Sequence, residues 1–448
     1  MLKKINPTPR PCSNPCLPLN NHDLCCRCGG CAALCPAGAI ALAEGGSYPY
    51  LDVDACLACG LCDEICPGQR VEFFRLYEQV FSHRDAAVDF DGLVRAAWIG
   101  HAADDRLRKG GVSGGVVTAI LSSLLASGAI AACLVTRMNQ EIPWHGEAFI
   151  ARSPEDLQIS QGSRYLPIPV NRLVAELSEI SGKVAVVALP CQVHGLRMMA
   201  RALPRLGEKI HLVIGLFCGG MLDSHFAPEL LAAHGLKPEE VSSLKFRGGD
   251  WPGQMRAVMK NGSARSLHQS NFKDGLYNYA ISIFMPPRCQ TCLDGTAELA
   301  DISAGDTWNR NEIGQYREPG NTKLFIRSKR GAEVMDTILQ AGAVVGDYIG
   351  DHRLWATPPM QKKRKSVYAP LRLARLRAKG IVVPLYDRSC PKASICERLA
   401  ERNVSFFLWL GRFPVMRRLA LRLITSKLTL PVIFLRNQIK KRRLRQRR

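Results

Sequence analysis

An α/β fold is predicted for most of this chain, with a small cysteine-held module ahead of it and a basic helical tail behind. Three observations carry that expectation. A cysteine pattern near the N-terminus occurs twice, short apolar strand-like runs and helical stretches follow one another between about residues 95 and 345, and the excess positive charge is confined to the C-terminal part. At 448 residues there is room for two or three domains with a sizeable core.

The boundaries follow the composition. Residues 1–20 are rich in proline and asparagine and are expected to form a poorly ordered leader. The start, MLKKINPTPRPC, has basic residues but no apolar stretch of the signal-peptide kind. Eighteen cysteines without a secretion signal suit thiolates kept for metal in a reducing cytoplasm, which is the expected compartment.

The module at 21–70 is an internal repeat. Its first half reads Cys25-x2-Cys28-x2-Cys31-x3-Cys35-Pro36, and the arrangement returns at Cys56, Cys59, Cys62, Cys66 and Pro67. Three thiolates at two-residue gaps, with a fourth three residues on, wrap one tight loop around a four-iron cubane. In two-cluster ferredoxins the fourth cysteine ligates the other cluster. One [4Fe–4S] cluster is therefore expected on Cys25, Cys28, Cys31 and Cys66, and another on Cys56, Cys59, Cys62 and Cys35. Zinc sites favour cysteine pairs, or cysteine with histidine, at longer separations. Cys26 is a rival first ligand, but it would leave a one-residue gap to Cys28; Cys12 and Cys16 read as free thiols. Each half should supply a short strand, a cluster loop and a short helix. So small an α+β module should be held together largely by its metal. Residues 71–94 are a linker, with a helix and turn at 72–92.

The core is expected in two parts, 95–182 and 183–345. Glycines 110 and 111 precede, and 114 and 115 open, a helix from about Ser113 to Ser127, and a buried strand follows at 129–136. Gly128 and several Ala and Ser residues argue against a membrane span there. Backbone N–H groups at a glycine-led helix start suit a phosphate; tight packing explains the same glycines equally well. A helix is expected at 170–181, and two buried strands at Val184–Leu189 and Ile210–Phe217. Each strand runs straight into a cysteine, Cys191 and Cys218. Open α/β sheets bind ligands at the carboxyl ends of their strands. With Cys289-x2-Cys292, these thiols have the numbers for a third cluster, although buried cysteine is also a common small hydrophobe. Two polar–aromatic sets, Phe246–Trp251 and Ser303–Arg310, read either as packed turns or as contacts for a flavin or substrate. Residues 321–341 read as a strand, a turn and a helix.

These residues together resemble the family of coenzyme F420 hydrogenase/dehydrogenase beta subunits. The resemblance is carried by Gly114–Thr118, Ser163-Arg164-Tyr165, Pro190-Cys191-Gln192, Gly215–Cys218, and Cys289-x2-Cys292 followed by Ala300–Asp306. It covers roughly residues 20–345. It implies a flavoprotein, with FAD held near a [4Fe–4S] cluster on Cys191, Cys218, Cys289 and Cys292, and with flavin contacts at Gly114, Gly115, Thr118, Ser163 and Tyr165. The frequent Cys-His-Gly of the family is here Cys218-Gly219-Gly220, a departure that bears on substrate choice. The implied function is an iron–sulfur flavoprotein oxidoreductase, exchanging electrons with coenzyme F420 or a ferredoxin-type partner. The alternative is a non-catalytic electron-transfer subunit that docks on a separate catalytic protein.

The tail, 346–448, carries the charge. Residues 361–380 hold eight Lys or Arg and no acid, residues 401–448 hold fourteen against one acid, and together they account for the whole net charge of +21. Apolar residues alternate with the cations, Phe406–Leu410 and Leu419–Ile424 among Arg412, Arg417, Arg418 and Arg422. A basic amphipathic helix suits an anionic membrane surface, and the terminal KKRRLRQRR adds attraction. Docking on the protein's own core is the alternative. Nucleic acid is the weakest partner, because no nucleic-acid-reading motif accompanies the charge.

Overall fold

The computed structural model describes residues 22–42, 48–69, 71–82, 90–268, 271–309, 311, 315–350, 359–386 and 390–426. Cys12, Cys16, the leader and the terminal basic run lie outside them.

An eight-stranded mixed sheet forms the centre. Its parallel part is β4 (Ala132–Met138), β6 (Val184–Ala188), β7 (Ile210–Leu216) and β11 (Ile302–Asp306). Antiparallel strands extend it on both sides. β5 (Gly146–Ala151) flanks β4, while β12 (Thr322–Ile326), β3 (Ala96–Ala102) and β13 (Val344–Tyr348) continue outward from β11. The sheet therefore runs past residue 345, into the segment read as tail.

Alternation explains why the central strands read as continuous apolar runs. In β4, Ala132 and Leu134 enter the core on one face while Cys133 and Val135 enter the core on the other; Val184 and Val186 oppose Ala185 in β6. Strands buried on both faces need no polar residue, and each fully buried Val or Leu contributes roughly 1.5–3 kcal/mol. Helix Val116–Ala126 covers one face with helix Lys329–Gln340, and helix Pro190–Ala202 covers the other. The segment expected as a helix at 170–181 is shorter, a 3-10 turn Val170–Leu173 followed by a single helical turn Val174–Leu177.

The cysteine module contains β1 (Ile40–Leu42) paired with β2 (Pro49–Leu51), and short helices Gly30–Leu34 and Leu61–Glu64. In its first half the helix precedes the strand. The module also has apolar support beyond its thiols, since Leu24, Leu34 and Ile65, with Val71 at the start of the linker, join the same core as Val193, Leu196 and Met199 of helix Pro190–Ala202. That helix carries Gly195 where Pro67 crosses it; a Cβ there would stand 3.2 Å from the proline ring. The linker helix, Phe73–Phe81, is likewise buried through Phe73, Leu76, Tyr77 and Phe81.

A second core lies under the meander β8 (Val241–Gly248), β9 (Gln254–Met259) and β10 (Ala264–Ser266), with helices Phe226–Ala233 and Asn278–Phe284. The tail docks on both cores. Tyr368, Leu373, Val383 and Tyr386 are buried, as are Leu408 and Leu421 of helices Ile395–Leu410 and Pro414–Thr425. Glu401 pins the first of these helices by ion pairs to Arg372 at 2.8 Å and Arg375 at 2.6 Å.

Candidate functional site

A cavity of about 270 Å³ opens at the carboxyl ends of β4, β6, β7 and β11, beside the start of helix Val116–Ala126. That start has no side-chain cap. Gly114 (φ 85°) and Gly115 (φ 69°) are left-handed, and a Cβ on Gly115 would stand 2.2 Å from the Leu107 carbonyl oxygen. The turn is possible only for glycine, and it turns the helix N-terminus to the cavity. Ser113 donates to Asp306, whose carboxylate Arg247 grips at 2.9 and 3.0 Å.

Of the residues expected to touch flavin, Gly115, Thr118, Ser163 and Tyr165 line this cavity, and Gly114 adjoins it. Arg164, also on the wall, donates to the carbonyls of Ser160 (2.9 Å), Gln161 (3.0 Å), Gly162 (3.2 Å) and Ile159 (3.3 Å), closing loop 159–164 into a ring. Its Nε is buried without a partner among the described residues, and it pairs with no acid there. Burial pushes its guanidinium down to about 10, so it stays charged at neutral pH. Tyr165 stacks among Phe246, Phe272 and Tyr277 at 4.6–5.9 Å, and burial pushes its phenol up. The two polar–aromatic sets of the sequence meet nearby, with Trp251 stacked on Trp308 at 5.3 Å and Arg247 over Trp308.

Thiols occupy two hollows beyond the cavity. The one nearer to it is lined by Cys191, Cys218, Cys289 and Cys292, the four brought together as expected, and also by Cys25 and Cys26. Pro190 starts the helix that carries Cys191, and buried Gln192 fixes its first turn: Oε1 accepts from Leu189 N (2.9 Å) and Nε2 donates to the Ile168 carbonyl (2.6 Å). Cys218 follows β7 and donates its N–H to the Gly295 carbonyl (2.9 Å). Cys289 lies within a 3-10 turn, Pro287–Thr291, and Cys292 follows it directly. Asp301 organises the strand ends by accepting from Val213 N (2.9 Å), Arg197 (3.1 Å) and Ser328 (2.7 Å). Where the frequent histidine of the Cys-His-Gly pattern would fall, a Cβ on Gly219 would stand 3.2 Å from the Tyr277 hydroxyl and 3.4 Å from Gln361 of the tail.

Burial pushes Cys289 up to about 12, and Cys218 in the same direction. Cys26 goes the other way: Cys191 and Arg288 beside it hold it below the ordinary thiol value. Lys365 enters this hollow from the tail, donating to Cys292. Burial works against its ammonium, but Cys292, Cys218 and Cys289 outweigh that and hold it above the ordinary lysine value. Neither Lys365 nor the partnership of Cys26 with Cys191 emerges from sequence; Lys365 sits inside Lys362-Lys363-Arg364-Lys365, which reads as a solvated cation run.

The outer hollow is lined by Cys25, Cys26, Cys28, Cys31, Cys62 and Cys66, thus containing the whole first expected set. Burial pushes Cys25 up to about 12 and Cys31 to about 11, with Cys28 and Cys66 well above the ordinary thiol value. Its loop repeats in the second motif. Arg27 (φ 54°) donates its N–H to Cys25 Sγ at 3.3 Å, Ala58 (φ 49°) donates to Cys56 Sγ at 3.4 Å, and each helix start is a left-handed glycine, Gly29 or Gly60. Cys56 is exposed, and Cys35, Cys59 and Cys62 are partly so. Among the described residues no three Cys, His, Asp or Glu side chains close around a single-ion point. The thiols line hollows instead.

The three spaces are contiguous. Leu189, Cys218 and Met221 line both the cavity and the inner hollow, and Cys25, Cys26 and Arg27 line both hollows. Such a fold and such a thiol array define an iron–sulfur oxidoreductase component, a two-cluster ferredoxin module joined to an α/β core. The chain belongs to the family of coenzyme F420 hydrogenase/dehydrogenase beta subunits: the family's N-terminal model matches residues 97–175, its C-terminal model residues 181–349, and a 4Fe-4S dicluster domain residues 17–67.

A component of the F(420)H(2) dehydrogenase of Methanosarcina mazei is 27% identical over 344 residues, 73% of this chain and 89% of that protein. The coenzyme F420-dependent sulfite reductase of Methanocaldococcus jannaschii is 28% identical over 242 residues, 51% of this chain but only 35% of the relative. A chain of the F420-reducing [NiFe] hydrogenase complex of Methanosarcina barkeri shares the fold, with TM-score 0.51 at 20% identity over 67% of this chain and 97% of that one.

Proposed function

We propose that the chain is an iron–sulfur flavoprotein oxidoreductase in which a flavin, FAD, occupies the core cavity and three [4Fe–4S] clusters lead from it to the surface. The observation that carries this reading is the contiguity of cavity and hollows through Cys218, then through Cys25 and Cys26. The residues fit the groups. Aliphatic walls from Leu121, Val135, Val187 and Leu216 suit a planar ring, while an uncapped helix start and a guanidinium without a carboxylate suit an anionic phosphate. Both hollows offer buried thiols, and backbone N–H donors already point at Cys25 and Cys56 sulfur.

Bound there, a flavin accepts electrons in pairs from a donor such as reduced F420 and releases them singly to clusters. The chain's own residues do the rest. Gly114, Gly115 and Thr118 shape the phosphate cradle, Arg164 holds the loop that presents Ser163 and Tyr165, and the aliphatic wall keeps water from the ring. Cys191, Cys218, Cys289 and Cys292 hold the inner cluster, Cys25, Cys28, Cys31 and Cys66 the middle one, and Cys35, Cys56, Cys59 and Cys62 the outer one. The exposed Cys56 loop is where a redox partner protein docks, a role consistent with the named relatives' being parts of larger assemblies.

Anaerobic purification followed by iron, sulfide and flavin quantification on one sample tests the assignment. About twelve irons with one flavin per chain is expected. About eight irons and no flavin would leave only the ferredoxin module and favour the electron-carrier alternative.

A further inference from the structure

The two last described helices, Ile395–Leu410 and Pro414–Thr425, carry apolar side chains on their outer as well as their inner faces. Their inner faces combine charge with core leucines. Glu401 is buried against Arg372 and Arg375, and Arg417 makes an ion pair with Glu229 at 2.6 Å, with Leu408 and Leu421 completing the contact. Their outer faces hold apolar side chains. Phe406, Trp409 and Phe413 form an exposed ladder, with ring centroids 6.0 and 5.1 Å apart, and each is about half exposed. Leu419 and Leu423 extend this surface along the second helix at 51% and 56% exposure. Helical spacing puts Phe406 and Trp409, three residues apart, on one face of the first helix, and Phe413, in the turn that joins the two helices, packs against Trp409.

Exposed aromatic and aliphatic groups in such number mark an interface rather than a solvated face. The charge beside them identifies the partner. Arg402, Arg418 and Arg422 are exposed and pair with no acid among the described residues. From Lys427 to the end the sequence adds nine Lys or Arg and no acid. A protein partner would present a bounded patch of opposite charge. An unbroken excess of cations around an aromatic ladder instead matches a diffuse anionic plane with an apolar layer beneath it. In that setting Trp and Phe enter the headgroup boundary and arginines lie along it with their heads in water. Among the described residues no helix is long and apolar enough to cross a membrane, so the attachment is peripheral. We propose that this face, centred on Phe406, Trp409 and Phe413 and ringed by Arg402, Arg418 and Arg422, seats the protein on an anionic bilayer surface. The inference is independent of which cofactors the core holds.

The test uses the full-length, cluster-replete protein and flotation with two kinds of vesicle, phosphatidylcholine alone and phosphatidylcholine with an equal part of phosphatidylglycerol. Binding at least tenfold tighter to the anionic vesicles is expected, with a Trp emission blue shift that the Trp409→Phe variant lacks. Replacing Phe406, Trp409 and Phe413 with Ser should weaken binding at least fivefold at unchanged iron content. A Glu replacement of Arg402, Arg418 and Arg422 provides a second, charge-only variant should the first fail to fold. Equal binding to both vesicles overturns the proposal. Undiminished binding of both variants does the same, leaving the extreme C-terminus as the attachment. A concentration-dependent dimer in light scattering that the serine variant abolishes, with no vesicle binding, would assign the face to a second copy instead.

Discussion

Replacing Lys365 with Met keeps the stem that fills the inner hollow and removes the ammonium that donates to Cys292. If the inner cluster is bound by Cys191, Cys218, Cys289 and Cys292, this charge stabilises the electron the cluster accepts. Two unit charges 4 Å apart interact by about 4 kcal/mol at an effective dielectric of 20. The accepted electron is spread over the cubane, whose centre lies farther away, so about 2–3 kcal/mol is the better figure. With 59 mV per tenfold change for a one-electron couple, the midpoint should fall by roughly 100 mV. The sign follows from the chemistry: losing a nearby cation makes reduction harder. Potentiometric titration followed by electron paramagnetic resonance would resolve the inner cluster from the two in the ferredoxin module, which should move much less. Lys365→Arg should retain most of the potential. An unchanged or raised midpoint, at full iron content, would refute the reasoning.

Three further outcomes are expected. Glu401→Gln leaves the Arg372 guanidinium buried and uncompensated; Arg375 is half exposed and solvent covers its share. The loss should be about 3–5 kcal/mol, read as a lower thermal midpoint and faster proteolysis near residue 390. Lys323 lies buried on β12, where desolvation pushes its ammonium down to about 8. Between that value and the unfolded value near 10.5 the unfolded chain binds the extra proton, so native stability rises with pH through this window. Lys323→Met should therefore be more stable than the parent at pH 7, by up to about 3 kcal/mol, with the advantage gone near pH 11. Arg164→Leu removes the cavity's unpaired cation. Flavin should dissociate roughly tenfold more readily or worse, at unchanged iron content, with Arg164→Lys intermediate.

Some of this architecture was legible because the chemistry dictates local spacing. A cubane needs three thiolates on one tight loop, so Cys25, Cys28 and Cys31 declare themselves, and Cys66 follows from the proline-terminated repeat. The backbone that makes the loop tight is only partly written in the same way: Gly29 and Gly60 signal a left-handed turn, but Arg27 and Ala58, left-handed as well, are types that carry no such signal. Strands β6 and β7 were readable because both faces are buried. Beyond β11, β12 and the helix after it were read from residues 321–341, but β3 and β13 were harder to see. β3 alternates buried and half-buried positions around Trp98 and His101, and its place in the sheet depends on partners more than 200 residues away. The convergence of Cys191 and Cys218 could be anticipated from their positions at neighbouring strand ends. That Cys26 turns to Cys191 could not, because it depends on how the module packs against helix Pro190–Ala202.

The tail shows where composition stops being informative. Its cations look alike in sequence, yet they have three different fates. Lys365 is buried among thiols, Arg372 is buried against Glu401, and Arg402, Arg418 and Arg422 face solvent. Net charge is a sum, and burial is decided residue by residue by what the folded neighbours offer. A thiolate hollow or a buried glutamate compensates a cation where aliphatic packing would exclude it. The first fate brings the segment after residue 345 into the inner hollow, through Lys365 at Cys292, and Gln361 of the same segment stands beside Gly219. The tail is therefore part of the inner site as well as a surface. Removing it to test the surface role would also uncover the inner hollow, so the two roles have to be separated by point substitutions, at Gln361 and Lys365 for the hollow and on helices Ile395–Leu410 and Pro414–Thr425 for the surface.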